Sequence, residues 1–324
     1  KVMDSSFLLE ASGILRAYGD LRAVDQVSLS LEVGKVYSLI GQSGSGKTTL
    51  ARILAGIDRE FFGEIRLAND KRCVLVQQDF VVWPELTVVQ NIAIGCRRKG
   101  DNAQIISEII EGMELGEKRS VKTGQLSYGQ RQRVAIGRAM ATEADIIFLD
   151  EPFAHLDMSL RRLMWERCID VFKCFNRTSL WITHLVQDAL PVVDRLYVMV
   201  DGRIDQSGVP KDIYYQPKSE AIAQLTGLCN VFETDDIERL QLEGCKPKGI
   251  HAGSWGCRPE HLSLVEDTDG YILGDQISEY FTGPITLHYI SEELIGKIFA
   301  AVSGVQIVPE KRYRLRLKDE LIPF

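Results

Sequence analysis

Val36-Tyr37-Ser38-Leu39-Ile40-Gly41-Gln42-Ser43-Gly44-Ser45-Gly46-Lys47-Thr48-Thr49 decides the fold. A continuous apolar strand, Val36 to Ile40, runs straight into a glycine-rich turn. Helical spacing begins near Lys47 and carries Leu50, Ile53 and Leu54. A strand, a tight loop and a helix N-terminus in that order form a concave nest of backbone N–H groups backed by positive helix potential, which suits phosphate. Lys47 then stands where it can reach β- and γ-phosphates, and the Thr48 hydroxyl where it can ligate Mg²⁺.

Working outward, Ile146-Ile147-Phe148-Leu149-Asp150-Glu151 is a second buried strand, ending in acid. Asp150 is the expected further Mg²⁺ contact. Glu151 is placed to polarise a water attacking the γ-phosphate. Leu180 to Thr183 reads as another short strand, and Leu160, Leu163, Met164, Val171, Phe172 and Phe175 recur between the two at helix spacing. Asp201-Gly202, between Leu196–Val200 and Arg203–Gln206, signals a hairpin. From about Val88 to Met140 no strand is convincing; Asn91–Gly95, Ala103–Gly112 and Gly129–Met140 read as helices inserted in the α/β core. Beyond Gly227 the character changes. From Gly249 strands and turns alternate, and Tyr313, Leu315 and Leu317 oppose Arg312, Arg314 and Arg316, as in a half-buried antiparallel strand. The expected fold is an α/β phosphate-loop NTPase, residues 1–227 with a helical subdomain at about 88–140, followed by a small all-β domain, 228–324.

The 324 residues suffice for two cores, and 45% apolar with 26% charged residues is ordinary for a globular protein. A net charge of -7 argues against broad binding to nucleic acid, which needs a basic surface. No run approaches the ~20 apolar residues of a membrane span. Lys1 to Ser6 lack the apolar core of a secretion signal. Seven scattered cysteines without a Cys-x-x-Cys pair point to buried, reduced thiols.

One further run sits between the loop and the acidic strand: Leu126-Ser127-Tyr128-Gly129-Gln130-Arg131-Gln132-Arg133. With Gly41–Thr49, Gln78, Asp150-Glu151, Asp157 and His184 in this order, the chain from about residue 8 to 227 resembles the ATP-binding subunit of an ABC transporter. The resemblance implies an ATPase with ATP and Mg²⁺ as cofactors. It implies adenine stacking on Tyr18, phosphate binding by Gly41, Gln42, Ser43, Gly44, Ser45, Gly46, Lys47, Thr48 and Thr49, and Mg²⁺ contacts from Thr48, Gln78 and Asp150. It further implies catalysis by Glu151 and His184, communication between two sites through Asp157, and a grip by Ser127, Gly129 and Gln130 on the ATP of a facing second copy. Gln78 rather than Gln77 fits once Trp83-Pro84-Glu85-Leu86-Thr87-Val88 is matched to the family. His155 has no matching role. A kinase or GTPase would explain the glycine loop but neither Leu126–Gln130 nor His184.

The sequence departs from the pattern in places. Tyr128 replaces a usual glycine, which is harmless if the position needs no positive φ. Leu185 replaces the aspartate after the histidine. The segments Gly63–Gln78 and Thr87–Leu126 look short, and the second shortening bears on the groove for a membrane partner. Arg258-Pro259-Glu260-His261 resembles an element of the small TOBE, or oligonucleotide/oligosaccharide-binding-like, barrel that follows many importer ATPases. The resemblance thus implies an importer subunit: a head-to-tail homodimer on the cytoplasmic face of the membrane, coupled to permease subunits and indirectly to a solute-binding protein. The alternative is a soluble ABC-type ATPase of DNA or ribosome processes.

Overall fold

The computed structural model describes residues 7–79, 81–96, 102–233, 237, 254–270, 272–273, 277–281, 286–292, 297–302, 307–318 and 321–324. The readings of Lys1 to Ser6 and of Cys245 lie outside the described residues. Two compact units divide the chain, 1–210 and 211–324.

In the first unit the strands are β1 Phe7–Tyr18, β2 Leu21–Glu32, β3 Val36–Ile40, β4 Phe62–Leu67, β5 Cys73–Val76, β6 Ile146–Asp150, β7 Thr178–Thr183, β8 Arg195–Val200 and β9 Arg203–Gly208. The main sheet has the order β5-β6-β7-β3-β8-β9. It is parallel from β5 to β8, with β9 antiparallel at the edge. Every residue of β3, β6 and β7 is buried, as expected for parallel strands covered on both faces. Register places Ile40 beside Thr183 and Asp150 beside Ile182. The glycine loop, Asp150-Glu151 and His184 therefore leave the sheet together, at the carboxyl ends of adjacent strands where ligands bind in such folds. A separate antiparallel sheet, β2-β1-β4, carries Tyr18. The β8–β9 turn is the expected hairpin: Asp201 (φ 44) and Gly202 (φ 80) both take the left-handed conformation of a type I′ turn.

The helices are α1 Lys47–Leu54, α2 Val88–Ala93, α3 Ala103–Gly112, α4 Tyr128–Ala141, α5 Met158–Cys174 and α6 Val186–Ala189. Helix α2 begins at Val88, not Asn91, because Thr87 and Gln90 form a capping box. Asn91 is instead a buried tie, its amide donating to the Trp83, Leu86 and Thr87 carbonyls. Helix α5 buries Met164, Trp165, Cys168, Ile169 and Phe172, while Leu163 is exposed, contrary to expectation. The rotation follows from Trp165, which stacks on Trp181 of β7 at 4.4 Å. Among the described residues the cysteines are unpaired, and burial pushes the Cys73 thiol up to about 12.

The units divide after the first residue of α7 Pro210–Tyr215, and the second unit continues with α8 Glu220–Thr226. Its strands are β10 Asn230–Glu233, β11 Ser254–Cys257, β12 Leu262–Glu266, β13 Ile272–Leu273, β14 Ile277–Phe281, β15 Thr286–Glu292, β16 Lys297–Val302, β17 Arg312–Leu317 and β18 Ile322–Pro323. They form three antiparallel sheets, β10-β11-β18, β12-β17-β13 and β14-β15-β16. Tyr313, Leu315 and Leu317 face the core, as their alternation predicts.

The units divide ahead of Gly227, the boundary expected from sequence, because of Arg258. This guanidinium is fully buried and donates to the carbonyls of Tyr214, Ala223 and Leu228 and to Thr226 Oγ1, at 2.7–3.1 Å. It also lies 4.0 Å from the Tyr214 ring centre. Helices α7 and α8 are thereby tied to the β-rich unit. Arg258→Ala strands several buried acceptors at once, and we expect a loss of about 3–5 kcal/mol in the second unit's stability. Calorimetry should show one unfolding transition lowered and the ATP-protected one unmoved.

Candidate active site

Helix α1 starts from Gly46, whose φ of 98 lies in the left-handed region. A side chain there would also collide with the Ala23 carbonyl. Lys47 is buried and donates to Gly41 O (2.9 Å) and Gln42 O (2.7 Å), with Ser45 Oγ at 3.4 Å. Desolvation lowers its pKa, opposed by the nearby Glu151 and Asp150 charges. Thr48 Oγ1 donates to Asp150 Oδ1 at 3.2 Å. Asp150 is buried, and its pKa is raised chiefly by desolvation.

Glu151 is held by several constraints. Its φ is 49, uncommon for a non-glycine residue and of the kind that clusters at active sites. Its backbone N–H is anchored on Ile182 O at 2.9 Å. Oε1 accepts from the His184 backbone N–H (3.1 Å) and lies 2.8 Å from His184 Nδ1. A carboxylate oxygen can only accept, so Nδ1 is the donor in this contact. The other oxygen, Oε2, is buried and has no hydrogen-bond partner within the protein. A buried carboxylate oxygen without a partner at the end of the sheet is an acceptor to be satisfied when nucleotide and water enter the site.

Lys47, Thr48, Glu151 and His184 face one cavity of about 450 Å³, lined also by Tyr18, Leu21, Ala23, Ser43, Gly44, Gly46, Thr49 and Gln78; Asp150 is not part of this lining and reaches it through Thr48. Gly41, Gln42 and Ser45 lie behind this lining and support Lys47. Gln77 lines a different groove. Tyr18 is half exposed; its hydroxyl donates to Asp58 Oδ2 (3.2 Å), and the Arg16 guanidinium sits 4.3 Å from its ring centre. Arg16 in turn pairs with Asp58 (3.0 Å) and Glu60 (2.9 Å). The sequence reading missed Leu21 and Ala23, although Leu21 follows from the strand register that sets it opposite Tyr18.

Ser127, Gly129 and Gln130 do not line this cavity. Ser127 caps α4: its Oγ accepts from Gln130 N (3.3 Å), and Gln130 Oε1 accepts from Ser127 N (3.0 Å). Gln130 thus holds Ser127 in place. Tyr128 is the first residue of α4 and has no positive φ, so the glycine usual there is not demanded by the backbone. Asp157 caps α5, accepting from Leu160 N at 3.0 Å. Leu185 donates its backbone N–H to Thr183 Oγ1.

A family model described as ABC transporter matches residues 24–154. The spermidine/putrescine import ATP-binding protein PotA 2 of Pseudomonas aeruginosa is 38% identical over 320 residues, covering 88% of this chain and 88% of its own. The chain belongs to the ABC transporter ATP-binding family. Another relative, the Fe(3+) ions import ATP-binding protein FbpC of Photorhabdus laumondii, is 32% identical over 283 residues, 81% of each chain. The crystal structure of a nucleotide-free ATP-binding cassette superposes with a TM-score of 0.57 at 28% identity, over 67% of this chain and 98% of that one. This ABC protein is an ATPase of the importer group with a phosphate-loop NTPase fold. A DNA- or ribosome-directed role is not favoured by these relatives.

Proposed function

We propose that two copies of this ATPase sandwich two ATP–Mg²⁺ and so drive import through a permease, working from the cytoplasmic face of the membrane. The observation that carries this reading is a division of labour. Glu151, His184 and Lys47 share one cavity, while Ser127 and Gly129 stand outside it on the tip of α4. One chain therefore holds a binding site lacking the signature that the family uses, and a second copy facing it head to tail supplies it.

Within a site, Lys47 and the loop N–H groups hold the phosphates, and Tyr18 offers a ring to the adenine. Glu151 takes a proton from the attacking water, and His184 orients Glu151 and meets the γ-phosphate. Thr48 hydroxyl, buried Asp150 carboxylate and Gln78 amide oxygen are hard donors that fit Mg²⁺, which uses one or two carboxylates together with substrate phosphates. Bound there, the ion would supply positive charge to offset that of the β- and γ-phosphates.

A second cavity of about 510 Å³ lies between β5 and the inserted helices, edged by exposed Val81, Trp83 and Ile94 and by Arg138, which lies 4.6 Å from the Trp83 ring centre. Apolar side chains exposed around a concave surface suit a protein partner, and we assign the permease to it. No helix among the described residues is long and apolar enough to cross a membrane. The relatives' names cover polyamines and ferric ions, so a small cationic solute, delivered by a solute-binding protein, is the cargo class we propose. The second unit is assigned as a TOBE-like barrel, supported by its antiparallel sheets and buried Arg258. Specific ATPase activity should rise with protein concentration until pairs predominate. Activity that stays constant on dilution would argue for a site complete in one chain.

A further inference from the structure

Two residues have no place in that scheme: Tyr128, where the family has glycine, and His155. They meet. The Tyr128 ring stands edge-on to the His155 imidazole, with centroids 4.9 Å apart and planes at 86°. The Tyr128 hydroxyl reaches the main-chain oxygen of Gln78, a cavity residue, at 3.5 Å. One position along, Gly129 is packed so closely on Leu156 that a Cβ would overlap Leu156 Cδ2. The tip of α4, with Ser127 and Gly129, is thus docked within one chain on the loop that ends at Asp157, the cap of α5. These segments lie on opposite sides of β6 in sequence, separated by the rest of α4 and by β6.

We propose that the Tyr128–His155 pair is a latch that positions the Ser127–Gly129 turn and the 154–157 loop as a single preformed face for the second copy. This rests on the two-copy reading above. Both segments must engage the partner in one event, and holding them beforehand removes the cost of ordering them during association. Neither Tyr128 nor His155 lines the nucleotide cavity of its own chain, so the pair's effect falls on pairing rather than on ATP affinity. Tyr128 and His155 are positioning residues.

The test is a double-mutant cycle on ATP-dependent dimerisation, measured by sedimentation in a Glu151→Gln background. An edge-on aromatic pair predicts that Tyr128→Ala and His155→Ala each weaken dimerisation roughly three- to tenfold. The double variant should be no worse than the poorer single, since both remove one contact. Tyr128→Phe, which keeps the ring, should dimerise within about twofold of the parent. ATP affinity of the dilute monomer should stay unchanged in all of them. Single effects that simply add, or a Tyr128→Ala variant that dimerises like the parent, would overturn the latch. A Glu151→Gln parent that stays monomeric with ATP would overturn the two-copy reading instead.

Discussion

Replacing Glu151 with glutamine lowers ATP hydrolysis by about 10²–10⁴-fold, the range for losing a general base, while ATP still binds. The geometry allows this separation. Glutamine keeps a side-chain oxygen to accept from the His184 backbone N–H, and the anchor of the Glu151 backbone on Ile182 O is untouched. What disappears is the basic, unpartnered Oε2. Without hydrolysis, ATP-loaded pairs persist, so the variant should elute as a dimer with ATP and as a monomer without it. Wild-type turnover in Glu151→Gln would remove Glu151 from the role of base.

Lys47→Ala has the other large effect, and it acts on binding. Before nucleotide arrives, the ammonium is held by the carbonyls of Gly41 and Gln42 in a buried setting that lowers its pKa. Polyphosphate offers it a charged partner instead, and a hydrogen bond between charged groups is worth about 1.5–3 kcal/mol. ATP affinity should therefore fall by roughly 10–100-fold, and hydrolysis at least as far. Calorimetric titration with a non-hydrolysable ATP analogue measures it. Affinity within twofold of the parent would mean that Lys47 only braces the loop.

Much of this was legible in the sequence because it is local. Val36 to Thr49 reads as strand, loop and helix from spacing alone, Asp201-Gly202 names its turn, and alternation orients Tyr313, Leu315 and Leu317. What escaped depends on contacts between distant segments. The buried face of α5 is set by Trp165 meeting Trp181, which periodicity cannot reveal. The domain boundary shifts because Arg258 reaches back to Tyr214 and Ala223. Tyr128 is a departure from the family pattern and His155 has no role in it, and only the fold sets one against the other. The cavity residues expected from the motifs converge because β6, β7 and β3 are neighbours, a matter of strand order rather than motif spacing.

The central claim is that each ATP is held by Lys47 of one copy and Ser127 of the other. It is tested most directly by mixing two defective chains, both carrying Glu151→Gln. One also carries Lys47→Ala; the other carries Ser127→Asp, which keeps a capping oxygen for α4 but sets a negative charge against phosphate. Neither should dimerise alone with ATP. Mixed one to one, they form one intact composite site, and an ATP-dependent heterodimer should appear in sedimentation. A mixture that stays monomeric while the Glu151→Gln parent dimerises would contradict the account.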